Sequence, residues 1–180
     1  MKTGRRQFRE ERLAAFEAAA ARYEGPLLRY AARLCRDPDA AQDIVQESFI
    51  KLFKNWNEEF SASPALSSWL YRVTHNCAVD YMRKQARRHL LHSRQAGEQR
   101  HFTPPDRGEW FRISEQAEQA ARALDALSLR ERQLVVLKVY EEKSYREISE
   151  ITGLSTGNVG YILHHAMKKL AASLKKENVI

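Results

Sequence analysis

The stretch from Ser67 to Arg88 has the residue types that a protein needs to bind single-stranded nucleic acid. At helical spacing, polar and cationic side chains fall on and beside one face: Arg72, Asn76, Arg83, Lys84, Arg87 and Arg88. Aromatic rings lie on or beside the same segment: Trp69, Tyr71 and Tyr81. Cations can follow a phosphate backbone and rings can stack on an unpaired base. The predicted chemistry is therefore noncovalent. An ordinary amphipathic helix with a solvated basic face is the alternative.

The same stretch is predicted to be a single helix with one buried face. Its apolar residues recur at spacings of three and four: Trp69, Leu70, Val73, Cys77 and Tyr81. The segment before it, Asn57 to Pro64, reads as a loop. Such a loop could hold an extruded base or could be only a connector.

A second polar face belongs to the preceding helix. This helix is predicted to have Asp37 as its N-cap and Pro38 at its first position, and to end near Trp56. Its predicted core-facing residues are Ala41, Ile44, Val45, Phe49, Leu52, Phe53 and Trp56. The opposite side carries Asp39, Asp43, Gln46, Glu47 and Ile50. Its three carboxylates could chelate a metal, but no histidine, second carboxylate cluster or nucleophile joins them. A solvated face and an acidic docking surface remain open.

The chain upstream has a helical pattern from about Glu10 onward, after a loose basic tail. Gly25-Pro26 predicts a kink or break in that helix, because proline removes a backbone hydrogen bond. Cys35 and Cys77 lie far apart on helical stripes, so both are predicted to be reduced core thiols.

The C-terminal third predicts three helices, and the last two form a helix-turn-helix. Capping boxes at Ser128/Glu131 and Ser144/Glu147 begin the first two helices, which end near Glu142 and Thr152. A turn from Gly153 precedes the third helix at Thr156. The predicted core residues are Leu134, Val135, Leu137, Val139, Ile148, Ile151, Val159, Leu163, Ala166 and Leu170. An unrelated helical hairpin is the alternative.

Exposed residues of the third helix are predicted to face the major groove of DNA and its phosphates. They are Ser155, Thr156, Asn158, Tyr161, His164, His165, Lys168 and Lys169.

Composition agrees with a nucleic-acid partner. The formal net charge of the 180 residues is +7, and the excess lies largely between Tyr71 and Arg100. No membrane span or signal peptide is visible, which predicts a cytoplasmic protein without membrane insertion. We expect an all-α chain with two small helical domains, residues 10–92 and 113–176, joined by a flexible linker, 93–112.

Three blocks in this order carry a family resemblance: DAAQDIVQESFIKLFKNW, SSWLYRVTHNCAVDYMRKQARR and, after the linker, ALSLRERQLVVLKVYEEKSYREISEITGLSTGNVGYILHHAMKKL. Together they resemble an extracytoplasmic-function sigma factor of the sigma-70 family, over about Phe16 to Leu174. The resemblance implies a region 2 bundle that binds core RNA polymerase and opens the promoter, and a region 4 helix-turn-helix that binds the upstream element. It also implies a non-enzymatic transcription initiation factor without a cofactor, and an anti-sigma factor as the usual regulator.

The resemblance further implies roles for individual residues. The segment that docks on the clamp helices of the largest polymerase subunit matches Asp39, Asp43, Gln46, Glu47 and Phe49. The segment that melts the minus-ten element matches Trp69, Tyr71, Arg72 and Asn76. Its upstream edge would be read by Asp80, Arg83, Lys84, Arg87 and the adjacent Arg88. The base-capturing loop corresponds to Phe60 through Leu66, with Phe60, Ser61 and Ser63 as expected contacts.

Residues 155–169 match the helix that reads the minus-thirty-five element. Many relatives have basic residues where this chain has Gly160, Ile162 and Met167, which predicts fewer phosphate contacts here or a shift to Lys168 and Lys169. Two other functions stay open from the residues: a conventional helix-turn-helix regulator, and a DNA-processing enzyme, for which no catalytic set can be assembled.

Overall fold

The computed structural model describes residues 2–56, 64–96 and 123–176, and every element within these ranges is a helix. The helices are α1 (Lys2–Cys35), α2 (Pro38–Lys54), α3 (Pro64–Ala96), α4 (Leu129–Val135), α5 (Tyr145–Thr152) and α6 (Thr156–Lys176). They fall into two compact units, an N-terminal unit of α1 to α3 and a C-terminal unit that contains α4 to α6. The predicted all-α class is confirmed, whereas the predicted boundaries 10–92, 93–112 and 113–176 stay predictions.

Helix α1 is longer than the sequence predicts, and of the predicted kink or break at Gly25-Pro26 the break does not occur. It begins at Lys2 instead of following a loose tail, and it continues through Gly25 and Pro26 without a break. Proline removes one backbone hydrogen bond. The buried residues just beyond it, Leu27, Tyr30 and Leu34, pack the following turns into the core and hold the helix together.

The core of the N-terminal unit contains a buried polar layer that joins the three helices. The Tyr30 hydroxyl of α1 lies 2.9 Å from Nδ1 of His75 in α3. The Thr74 hydroxyl of α3 donates to the Ser48 hydroxyl of α2 over 3.1 Å, and Ser48 donates to the carbonyl of Ile44 over 2.8 Å. These bonds satisfy side chains that would otherwise cost stability when buried.

Helix α2 begins at Pro38 and buries most of the predicted stripe. Phe53 is the exception, because it is 52 % exposed instead of lying in the core. Its ring packs edge-on against Phe16 and beneath the guanidinium of Arg12, which also donates to the Phe53 carbonyl over 3.2 Å. A cation and a ring edge therefore cover part of this position.

The C-terminal unit has the helix starts and the turn that the sequence predicts. After a short 3₁₀ turn, Leu124–Ala126, both capping boxes are present. Gly153 ends α5 with φ of 73°, in the left-handed region that favours glycine. The Ser149 hydroxyl of α5 donates to the carbonyl of Leu154 across the turn. Two helices joined in this way form the predicted helix-turn-helix.

One helix of this unit changes its winding. Helix α4 continues as a π-helix, Val136–Tyr140, instead of an α-helix to Glu142. The wider π turn shifts side chains around the axis. Val136 is consequently buried and Val139 is 50 % exposed, so the predicted core position of Val139 is wrong.

Candidate functional site

The polar residues predicted on α3 form one continuous exposed surface, here called the basic stripe. Its exposed members are Arg72, Asn76, Asp80, Arg83, Lys84, Arg87 and Arg88. Trp69 is half-buried at its start. From Trp69 to Arg87 the stripe runs about 27 Å at the helical rise of 1.5 Å per residue. A surface of this length and charge can follow the backbone of a nucleic acid strand.

The only described carboxylate within this stripe does not neutralise it. Asp80 lies 3.8 Å from the Arg83 guanidinium, and both side chains are about two-thirds exposed, at 66 % and 71 %. An exposed ion pair of this kind contributes little and yields readily to a phosphate.

Tyr71 does not belong to the stripe. It is 4 % exposed, and its ring packs edge-on against Tyr30 at 5.5 Å between centroids. The predicted contact between Tyr71 and the minus-ten element therefore does not fit, because the ring faces α1 in the core. Position 71 lies on the broad buried side of α3, which packs against both neighbouring helices. Trp69 is the ring that adjoins the cations, while Phe60, Ser61 and Ser63 lie outside the described residues.

The acidic face of α2 is exposed as predicted at each of its polar positions: Asp39, Asp43, Gln46 and Glu47. Ile50 continues this face and is 47 % exposed. Phe49 is half-buried, with its ring 6.3 Å from that of Phe16. Beside the acidic face, α1 and α2 enclose a groove of about 480 Å³ that Phe16, Asp43 and Phe49 help to line. Carboxylates next to a groove with both polar and aromatic lining can receive a basic, partly apolar helix.

Lys51 links the acidic face to α3, a role that was not predicted from the sequence. Its Nζ lies 2.8 Å from Glu47 and donates to Sγ of Cys77 over 3.2 Å. The hydrogen bond from Lys51, with charge attraction from Lys51 and Lys84, lowers the pKa of Glu47. Glu47 therefore stays ionised. The spacing of Glu47 and Lys51 was a visible signal for this pair, but the approach of Cys77 depends on tertiary packing.

In the C-terminal unit, the residues predicted to face DNA are all exposed on α6 or just before it: Ser155, Thr156, Asn158, Tyr161, His164, His165 and Lys168. Tyr161 is 65 % exposed, and its ring centroid lies 4.5 Å from that of His165. His164 lies 5.8 Å from His165. Rings and imidazoles thus form one exposed patch.

Lys169 is exposed but paired with a buried carboxylate of the same unit. Its Nζ lies 2.7 Å from Glu131 of α4, which also accepts hydrogen bonds from the backbone and hydroxyl of Ser128. The bond from Lys169, with those from Ser128, lowers the pKa of Glu131 to about 2. The expected shift of phosphate contacts to Lys169 stays a prediction, and Glu131 would compete with a phosphate for this ammonium group. Lys168 remains exposed.

Tyr145, at the start of α5, is 45 % exposed and lies near the helix before it and the helix after it. Its ring lies 5.5 Å from Nζ of Lys138. A β-carbon added at Gly160 would meet the ring at 3.4 Å. Alanine would therefore fit at position 160 in contact with the ring, whereas a larger side chain would compete with the ring for space; glycine there costs some helix propensity.

Across residues 2–56, 64–96 and 123–176, histidine, cysteine and carboxylate side chains form no group of three that could hold a metal. In the same ranges, none of the helices combines the length and apolar character that crossing a membrane requires.

Comparison with known proteins supplies the context for both units. The model of Sigma-70 region 2 matches residues 19–88, and that of Sigma-70, region 4 matches residues 117–170. RNA polymerase sigma factor SigV of Bacillus subtilis is 29 % identical over 156 residues, with 84 % of this chain and 86 % of SigV covered. ECF RNA polymerase sigma factor SigL of Mycobacterium tuberculosis is 28 % identical over 172 residues, covering 92 % and 95 % of the two chains.

Two solved structures share the fold. One is CnrH in complex with the cytosolic domain of CnrY, with a TM-score of 0.64, 22 % identity and coverage of 89 % of this chain and 88 % of that chain. The other is the sigma factor RpoE in complex with the anti-sigma factor NepR from Bartonella quintana, with a TM-score of 0.59, 23 % identity and coverage of 94 % and 97 %.

Proposed function

The chain belongs to the sigma-70 family of RNA polymerase sigma factors, in its extracytoplasmic-function group, and we propose how its two units divide the work of promoter recognition. As a sigma factor it binds core RNA polymerase and directs it to specific promoters. The observation that carries the proposal is the N-terminal unit, which presents an acidic face on α2 and a basic stripe on α3. One surface suits a basic protein and the other suits a nucleic acid.

The acidic face of α2 binds the clamp helices of the largest polymerase subunit. The contact residues are Asp39, Asp43, Gln46, Glu47 and Phe49. Exposure of the four polar side chains supports this role, as does the groove beside Asp43. Charge complementarity then sets the orientation and the rate of docking.

The basic stripe holds the melted strand of the minus-ten element. Cations from Arg72 to Arg88 bind phosphates, and Trp69 stacks on a base at the edge of the melted region. Asn76 and Asp80 supply polar groups to base edges, and the loop residues Phe60, Ser61 and Ser63 capture a flipped base. This chain binds and positions DNA, whereas the phosphodiester chemistry belongs to the polymerase.

The C-terminal unit reads the minus-thirty-five element with the start of α6. Its contacts are Ser155, Thr156, Asn158, Tyr161, His164, His165 and Lys168. The two readings are individually weak, and the linker of residues 93–112 makes them act together by raising the effective concentration of the second contact.

Regulation comes from an anti-sigma factor that covers these surfaces. The related RpoE structure holds an anti-sigma factor, and the CnrH structure holds the cytosolic domain of CnrY. Because its partners are RNA polymerase and promoter DNA, the chain works in the cytoplasm.

Transcription from a promoter library by purified core polymerase, with and without this protein, tests the proposal. We expect protein-dependent transcripts that share a two-part upstream motif. If no such transcripts appear and the protein fails to elute with core polymerase, the sigma mechanism is wrong. A free helix-turn-helix regulator would then be the better account.

The polymerase contact can be tested by reversing one charge on the acidic face. Asp43→Lys should weaken binding to core polymerase by at least about tenfold, because a like charge would face the basic clamp surface. Binding is measured by titrating labelled core polymerase with each variant. The matched control is Glu17→Lys on α1, which changes charge equally at another exposed position. Equal loss in both variants would point to net charge instead of a docking face.

A further inference from the structure

The recognition helix lacks the usual phosphate-binding side chains over most of its length. From Thr156 to Met167 there is no lysine or arginine, and the nearest free-standing cation is Lys168, since Lys169 is bonded to Glu131. The side chains in this interval that can become positive are His164 and His165. Positively charged phosphate contacts along this part of α6 therefore depend on imidazole, whereas the neutral polar side chains can add only uncharged hydrogen bonds.

Both imidazoles are placed where a phosphate can reach them. His164 and His165 are exposed. One face of α6 carries, at spacings of three and four, Asn158, Tyr161, His165 and Lys168. The Tyr161 ring lies against His165 at 4.5 Å, which limits where the imidazole can point and offers a π face to its positive form. The patch is thus an organised surface on the helix that docks against DNA.

We propose that His164 and His165 bind DNA phosphates in their protonated form, so that the duplex affinity of α6 rises as pH falls through the range in which histidine gains a proton. Histidine changes charge between about pH 5 and pH 8. DNA phosphates favour the imidazolium, and by linkage each proton taken up strengthens binding. This inference rests on the proposed role of α6 in reading promoter DNA.

Charged groups on the elements packed against α6 leave the imidazoles available. The described titratable and charged side chains there belong to α4, its π extension and α5. They are Arg130, Glu131, Arg132, Lys138, Tyr140, Tyr145, Arg146, Glu147 and Glu150. Among their described contacts, Glu131 is bonded to Lys169, Glu147 to Ser144 and Glu150 to Arg146. On α6 itself, Tyr161 and Lys168 adjoin the pair. The carboxylates of α4 and α5 therefore have other partners, and phosphate is the anion that the exposed imidazoles meet on docking.

The test measures binding of the full chain to a short random-sequence DNA duplex, by fluorescence anisotropy over a range of salt concentrations at about pH 6 and about pH 8. Two double variants fix the charge at positions 164 and 165, one at neutral and one at positive. His164→Gln with His165→Gln cannot gain charge, and His164→Arg with His165→Arg cannot lose it. Glutamine and arginine are good helix formers, so both variants should fold.

For the wild-type chain we expect affinity at pH 6 to exceed that at pH 8 by about fivefold or more, the low end of usual coupling between two ligands. The plot of log affinity against log salt should be steeper at pH 6 by up to about two, one for each added phosphate contact. The glutamine variant should lose most of this pH dependence and bind as the wild type does at pH 8. The arginine variant should bind tightly at both pH values.

The proposal is overturned if the glutamine variant keeps the pH dependence of the wild type, because other histidines would then carry it. It is equally overturned if the wild type shows none. Because the probe is DNA without polymerase, either result is independent of the transcription assay. A chain that fails to activate core polymerase can still show proton-linked binding, and the reverse also holds.

Discussion

At the scale of single residues, burial of the His75 imidazole makes the free energy of unfolding depend on pH. It is 6 % exposed, hydrogen bonded to Tyr30, and burial lowers its pKa to about 4. In the unfolded chain its pKa is near 6.5. The unfolded state thus binds more protons between these values, so stability is fully present above about pH 6.5 and is lost as pH falls toward 4.

This linkage predicts a measurable acid sensitivity. Between about pH 7.5 and pH 5, the free energy of unfolding of the wild type should fall by about 2 kcal/mol more than that of His75→Gln, whose side chain does not titrate. Urea denaturation at the two pH values gives both quantities. Equal losses in the two proteins would show that His75 does not contribute. The comparison uses differences with pH, so any cost of the substitution itself cancels.

At the scale of elements, the helices and those of their ends that have a local capping or turn signal could be predicted. Capping boxes, the Asp37-Pro38 start and the Gly153 turn each depend on residues a few positions apart. The same holds for the exposed sides of α2 and α6, since helical periodicity separates polar from apolar residues.

Tertiary packing and local helix geometry explain the features that the sequence did not predict. Tyr71 is buried because α3 packs against two helices, which widens its buried side beyond a single stripe. Val139 is exposed because a π turn changes the periodicity within the helix. The ion pair of Lys169 with Glu131 joins residues that are remote in sequence. Periodicity in one segment carries no information about partners in another.

The turn between α5 and α6 offers a prediction with an internal control. Gly153→Ala should destabilise the C-terminal unit by about 1 to 2 kcal/mol, because an L-residue is forced into the left-handed region. Nothing else lies within 4 Å of an added β-carbon there, so the cost comes from the local backbone conformation and not from packing against neighbouring side chains. Gly157→Ala also meets open space but lies within α6. It should leave stability unchanged or raise it by up to about 1 kcal/mol.

Thermal unfolding followed by circular dichroism distinguishes these two glycine variants. If both alanine variants destabilise equally, the backbone conformation at Gly153 is not the cause.

At the scale of the whole molecule, the proposed mechanism depends on tethering two weak readings. Doubling the length of the predicted linker, by inserting glycine and serine beyond Ala96 where α3 ends, should lower transcription from the cognate promoter to roughly a third. The reason is that effective concentration falls as about the −3/2 power of linker length. The rate of transcript formation by the reconstituted holoenzyme measures this. The control carries the same insertion after Ile180.

Complete loss of transcription at the native promoter spacing, with recovery on promoters that have longer spacers, would contradict a flexible tether. It would instead indicate that the segment acts as a ruler.

The closeness of the Tyr145 ring to position 160 limits which recognition helices could replace α6 in this chain. Lys138 and the space above Gly160 flank the same tyrosine ring. A relative's recognition helix that carries a long basic side chain at position 160 would have to share that space with the ring. Recognition helices that keep a small residue at position 160 should therefore be accepted by this chain with less loss of stability than those that carry a long side chain there.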